Sequence, residues 1–188
     1  MKRLLSLFAI VVLLGAQSLQ AQWIQTNGPY GCNIQCLAVN DSNLFAGTDG
    51  GVFLSTNNGT SWTAVNTGLT NTAVVSLAEN GSNLFAGTSD GVFVSTNNGT
   101  SWTAVNTGLM STFVTSLAVN DSNLFAGTEG GGVFVSTNNG TSWTAVNTGL
   151  TNIAVRSLAV NDSYLFAGTL GSGVWRRPLS EIIIGVGK

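Results

Sequence analysis

Histidine is absent from this chain of 188 residues, which removes the commonest general base and the commonest metal ligand together. Charged side chains make up 7% of the sequence, a balance that suits polar turns between short strands rather than solvated helices. Beyond the first 21 residues the basic residues are Arg156, Arg176, Arg177 and Lys188, against eight acidic ones. No basic stripe exists to displace counterions from phosphate, so nucleic acid and anionic membrane surfaces are excluded as partners. Cys32 and Cys36 are the only cysteines. Four residues apart on one strand they would lie about 13 Å from each other, too far for a disulfide unless the segment bends. A bridge across a loop and a free pair both stay open; two thiols without a histidine make no metal site, and no cofactor is expected.

Long apolar runs are missing too. The longest, Leu4 to Leu14, follows Lys2 and Arg3 and gives way to small residues ending at Ala21. It falls short of the roughly 20 residues that span a hydrocarbon core. Residues 1–21 read as a secretory leader cut after Ala21, or after Ser18; an uncleaved anchor is the alternative. The mature chain is then extracytoplasmic, secreted or at the cell surface, with no membrane insertion.

What the chain has in abundance is itself. Trp23, Trp62, Trp102 and Trp143 are spaced by 39, 40 and 41 residues, and Leu-Phe-Ala-Gly-Thr recurs at 44–48, 84–88, 124–128 and 165–169. A fixed period in this range marks a repeat architecture. Within one unit the pattern is that of strands. Val74 to Ala78, Leu84 to Thr88, Val92 to Thr96 and Trp102 to Val105 are separated by polar, glycine-bearing turns, giving a four-stranded antiparallel meander. Such a sheet cannot bury both faces alone, and four-stranded units stack radially as blades. The expectation is an all-β fold, a β-propeller over residues 22–178 with units near 24–62, 63–102, 103–143 and 144–178.

Strand counting allows closure. Trp23-Ile24-Gln25 reads as a lone fourth strand that could complete the last set at 155–177 and seal a four-bladed ring. Half of a larger ring, paired with a second copy as a homodimer, fits the same count. No window beyond the leader shows helical spacing, so 179–188 reads as a tail.

The third turn carries a resemblance. Ser55-Thr56-Asn57-Asn58-Gly59-Thr60-Ser61-Trp62 and its copies at 95–102 and 136–143 resemble the Asp-box of BNR repeats, S-x-D-x-G-x-T-W, with Asn57, Asn97 and Asn138 where the family usually has Asp. Ser55, Ser95 and Ser136, Gly59, Gly99 and Gly140, and Trp62, Trp102 and Trp143 complete these structural positions. A short polar side chain can bond turn amides, glycine permits positive φ, and tryptophan packs between sheets. The chain is similar to non-catalytic, sialidase-like repeat proteins exported by Bacteroidetes-like bacteria, in which a phrase like Gly173 to Glu181 closes the propeller before a sorting domain. The resemblance implies that the box lies opposite the ligand face. The arginine triad of sialidases has no counterpart, because Arg176 and Arg177 are adjacent and point to opposite faces of a strand. Asp49, Asp90 and Glu129 occupy equivalent turns rather than opposing sides of a groove, so the two carboxylates of a glycosidase are also missing. A photosystem assembly factor shares the repeat type, but its arginine-rich patch is absent.

Identity between units relaxes in the linkers and second turns, which in an up-and-down meander share one end. That end is the candidate binding face, with Tyr30, Met110 and Phe113 as its apolar contacts and Arg156 as an anion contact or a solvated strand residue. The expected role is a non-catalytic scaffold or binding module for a protein or carbohydrate ligand. A glycan-active hydrolase and a fragment of a longer array are the competing readings.

Overall fold

The computed structural model describes residues 21–186, with side chains to Ile182. Four antiparallel meanders follow one another. The first is β1 (Ile34–Asn40), β2 (Asn43–Thr48), β3 (Gly51–Ser55) and β4 (Thr63–Ala64). The second is β5 (Val74–Asn80), β6 (Asn83–Thr88), β7 (Gly91–Ser95) and β8 (Thr103–Ala104), and the third β9 (Val114–Asn120), β10 (Asn123–Thr128), β11 (Gly132–Ser136) and β12 (Thr144–Ala145). The fourth has three strands, β13 (Val155–Val160), β14 (Tyr164–Thr169) and β15 (Gly173–Pro178), followed by helix α1 (Leu179–Val186). Spatial order matches chain order in every sheet. The first hairpin closes tightly, pairing Asn40 with Asn43. Its first loop residue has positive φ, 53° at Asp41, 61° at Gly81 and 51° at Asp121, a region that Asp and Gly tolerate.

The core lies between blades. Phe45 and Val52 of the first blade meet Val74, Leu84, Ala86, Phe93 and Trp102 of the second, and the pattern repeats at the next two junctions. Phe45, Phe85 and Phe125 are fully buried, each stabilising by about 1.5–3 kcal/mol relative to exposure. The glycine of Leu-Phe-Ala-Gly-Thr is required by this packing. A Cβ at Gly87 would lie 2.8 Å from Val114, and at Gly127 2.7 Å from Val155, both in the following blade.

Blades pack through their first strands, β1 on β5, β5 on β9 and β9 on β13, and no comparable packing joins β13 to β1 among the described residues. The molecule is an open arc. Ile34 and Leu37 on β1 are 47% and 61% exposed, whereas Val114 and Leu117, their counterparts on β9, are 0% and 8% exposed.

Two expectations are corrected. Trp23-Ile24-Gln25 is not a strand and does not pair with β15; the open arc holds the N-terminal segment on the first blade, where Asn27 N donates to the Gly59 carbonyl at 3.0 Å. Residues 179–186 are not a tail but helix α1. Leu179 and Ile182, three apart, share a face and are buried against the junction of the third and fourth blades. The leader expected over residues 1–21 falls, but for Ala21, outside the described residues.

Candidate functional site

The two ends of the blades differ in chemistry. At one end sit the three repeated turns. Ser55 Oγ accepts from Gly59 N at 2.9 Å and donates to Asn57 Oδ1 at 3.0 Å. Asn57 Oδ1 accepts from Ser61 N, and Asn57 Nδ2 donates to Ser61 Oγ, both at 2.9 Å. The same bonds recur at Ser95 and Asn97 and at Ser136 and Asn138. Gly59, Gly99 and Gly140 have φ of 81°, 80° and 81°, so these turns are self-satisfied structural units. Trp102 and Trp143 are buried, and their Nε1 atoms donate to the Val65 and Val105 carbonyls of the preceding blade at 2.7 Å. Trp62 departs from the expected core position. It has no preceding blade, is only half-buried, and its Nε1 is enclosed without a partner.

At the other end, hydrogen bonds tie each linker to the second turn of the blade it enters. Asn33 N and Nδ2 donate to the Asp49 carboxylate at 3.0 and 2.7 Å, Asn71 Nδ2 to Ser89 Oγ at 2.8 Å, Ser111 Oγ to the Glu129 carbonyl at 3.2 Å, and Asn152 Nδ2 to the Leu170 carbonyl at 2.7 Å. Linkers and second turns therefore share one end. Met110 and Phe113 are exposed there, and Glu129 N donates to the Phe113 carbonyl at 2.9 Å. Arg156 joins them but is no free anion contact: its Nη1 and Nη2 donate to Glu129 Oε2 and Oε1, each at 2.9 Å. Glu129 and Asp49 are correspondingly not plain solvated turns. Tyr30 is exposed on the first blade, its hydroxyl on the Thr26 carbonyl at 3.3 Å. Ile153 and Leu170, exposed on the same end, were not singled out in the sequence, although they too fall in the variable segments.

Two residues break the repeat at inner strands. Glu79 stands where Val39, Val119 and Val160 stand in the other blades. Burial pushes its carboxyl up and the nearby charge of Asp41 adds to this, while a hydrogen bond from the Val39 backbone opposes it. These two carboxylates lie at the same end of adjacent blades. Cys36 replaces the serine that elsewhere accepts from the next blade, as Ser76 Oγ does from Leu117 N at 2.9 Å. Burial raises the Cys36 thiol to about 11 against hydrogen bonds from Gly47 and Leu77, so it is protonated at neutral pH and unreactive. Cys32 and Cys36 are both free. Among the described residues no cluster of His, Cys, Asp or Glu could hold a metal, and no helix is long and apolar enough to cross a membrane.

Solved structures share this arc. A computationally designed protein, Ika4, is similar with a TM-score of 0.67 at 16% identity, over 85% of this chain and 99% of that one. An ancestral GH74 enzyme matches with a TM-score of 0.65 at 27% identity, over 78% of this chain and 23% of the enzyme. The extracellular domain of BT4673 from B. thetaiotaomicron matches with a TM-score of 0.68 at 21% identity, over 82% of this chain and 21% of that domain. The chain thus spans nearly all of the designed protein but less than a quarter of the GH74 enzyme and of the BT4673 domain. No curated protein sequence matches it significantly. The sequence profile of the DUF6242 β-propeller domain matches residues 10–112, more than half of the chain. With its four repeated blades, the chain belongs to the DUF6242 β-propeller domain family.

Proposed function

We propose that the protein is a secreted, non-catalytic binding module of the BNR-repeat type that offers the linker end of its blades to an apolar segment of another protein. One observation carries this reading. Tyr30, Met110, Phe113, Ile153 and Leu170 are large, exposed and apolar, and all five fall in linkers or second turns. Among the described residues, the other exposed large hydrophobics belong to the N-terminal segment, β1 and β15, at the two ends of the arc. Among the described residues, the repeated turns themselves hold none. Exposed apolar groups gathered on one side of a soluble domain mark an interaction surface, and aromatic residues and methionine are favoured there. The Arg156–Glu129 pair neutralises the one basic side chain at this end among the described residues, which disfavours an anionic ligand.

The test is a binding screen of the full chain against protein and glycan arrays, followed by Met110→Ser/Phe113→Ser. A protein ligand whose affinity falls at least tenfold in the double variant supports the reading. Glycan ligands alone would transfer the site to carbohydrate recognition. Turnover of fluorogenic glycosides that disappears on Glu79→Gln would make the protein an enzyme and end the proposal.

A further inference from the structure

A cavity of about 260 Å³ opens between the third and fourth blades, lined in part by Val146, Leu150, Leu165, Ala167 and Trp175. At the preceding junction their counterparts, Val105, Leu109, Leu124, Ala126 and Phe134, pack together with Trp143. The cavity is therefore the tryptophan socket of the fourth blade, built like the others and without its indole. Two further details agree. A Cβ on Gly68 or Gly108 would collide with the carbonyl of Trp102 or Trp143, whereas on Gly149 it would meet nothing within 4 Å. The Trp175 Nε1 in the cavity wall is buried with no hydrogen-bond partner.

The sequence contains one tryptophan without a socket. Trp23 is fully exposed, as is nearly all of Ile24, and Trp23-Ile24-Gln25 aligns with Trp62-Thr63-Ala64, the start of a fourth strand. Thr26 already takes the place of a preceding blade's edge: a Cβ on Gly59 would meet Thr26, as on Gly99 it would meet Val65 and on Gly140 Val105. The chain just before Thr26 thus runs where the fourth strand of a preceding blade belongs. Within one open arc that blade does not exist. At the far end β15 pairs with β14 alone among the described residues, and Val174 is 75% exposed where Val133 is 3%.

We propose that two copies of this chain close head to tail, the first blade of each stacking on the fourth blade of the other. Trp23–Gln25 of each copy adds to β15 of the other as its missing fourth strand, and Trp23 fills the cavity. Strand addition satisfies the second edge of β15, and the face bearing Ile34, Leu37 and Val39 is covered as its counterparts are at every internal junction. The Val146 carbonyl, counterpart of the Trp143 acceptor, receives Arg177 Nη1 at 3.0 Å and keeps a second lone pair for an indole. Unlike faces that meet in this way form rings only if the rotation closes, and two arcs are the smallest such ring. This proposal stands apart from the ligand face.

Light scattering on the full chain tests it, together with acrylamide quenching of Trp23, read as the difference between the protein and Trp23→Phe. The expected result is twice the chain mass with Trp23 shielded. Trp23→Ala and the socket-filling Ala167→Phe should each halve the mass while keeping a cooperative unfolding transition. A peptide of residues 22–28 should bind folded Trp23→Ala with a blue shift of its own indole, and the same peptide lacking the tryptophan should not. A folded monomer at 100 μM (an assay condition, roughly a hundredfold above a micromolar Kd), a dimer that survives Trp23→Ala, or open-ended growth with concentration would each overturn the proposal.

Discussion

Arg177 stands in for a tryptophan. Its guanidinium donates to the Val146 carbonyl at 3.0 Å, the bond that Trp102 and Trp143 make from their indoles to the Val65 and Val105 carbonyls at 2.7 Å. The fourth blade lacks the repeated turn and the strand that would deliver an indole, so a long side chain from β15 supplies the donor instead. Replacing Arg177 by Ala leaves that carbonyl with no donor from its own chain and is expected to cost the single chain about 1–3 kcal/mol in urea unfolding. Arg177→Lys should recover part of the loss, and an unchanged midpoint for Arg177→Ala would show that water replaces the donor.

The indoles themselves are unequal. Trp102 is buried and bonded to the Val65 carbonyl, whereas Trp62 is half-buried and its Nε1 has no partner. Trp102→Phe removes a donor and orphans the carbonyl, at about 1–3 kcal/mol. Trp62→Phe removes only an unsatisfied group and should change stability by less than about 1 kcal/mol. Thermal unfolding of the two variants in parallel reads the difference, and equal losses would mean that packing alone decides.

Glycines of the repeated pentapeptide offer a second comparison. Gly127→Ala drives a methyl into Val155 and should cost about 1–3 kcal/mol from overpacking. Gly168 at the end of the arc meets only the movable Ser157 hydroxyl at 2.6 Å, so Gly168→Ala should be nearly neutral to the fold of a single chain.

Cys36 gives a pH dependence with a definite sign. Its thiol is raised from the ordinary 9.0 to about 11 by burial. A group whose folded pKa is raised gives stability that is present below its unfolded pKa and is lost as pH climbs through the folded value. The unfolding midpoint should therefore fall between pH 9 and 11 more steeply in the protein than in Cys36→Ser, and parallel curves would deny the buried thiol this role.

How much of this was legible depends on repetition. Ser55, Asn57, Gly59 and Trp102 could be placed because the same residues recur in three turns, and a recurring pattern can be satisfied by only one local geometry. The linker end was legible for the complementary reason, since Met110, Phe113 and Arg156 lie where the units differ. What escaped was set by the ends of the array, where a residue has no repeated neighbour to define its surroundings. Helix α1 is an eight-residue helix whose helical state comes from burying Leu179 and Ile182 in a junction, and its sequence taken alone reads as a tail. The Arg156–Glu129 pair joins residues 27 apart, through a fold that periodicity does not report. Trp23 looked like a strand because its sequence is one, and only the arc shows that its partner edge lies too far away within the same chain.

The uncharged version of the repeated turn has a consequence for acid. An aspartate at positions 57, 97 and 138 would protonate near pH 4 and lose the anionic acceptor that holds the turn. The carboxamides of Asn57, Asn97 and Asn138 do not titrate, and each still accepts from a backbone N–H and donates to a serine hydroxyl. The outer edges of three blades are thereby clamped by bonds that neither protons nor salt can loosen.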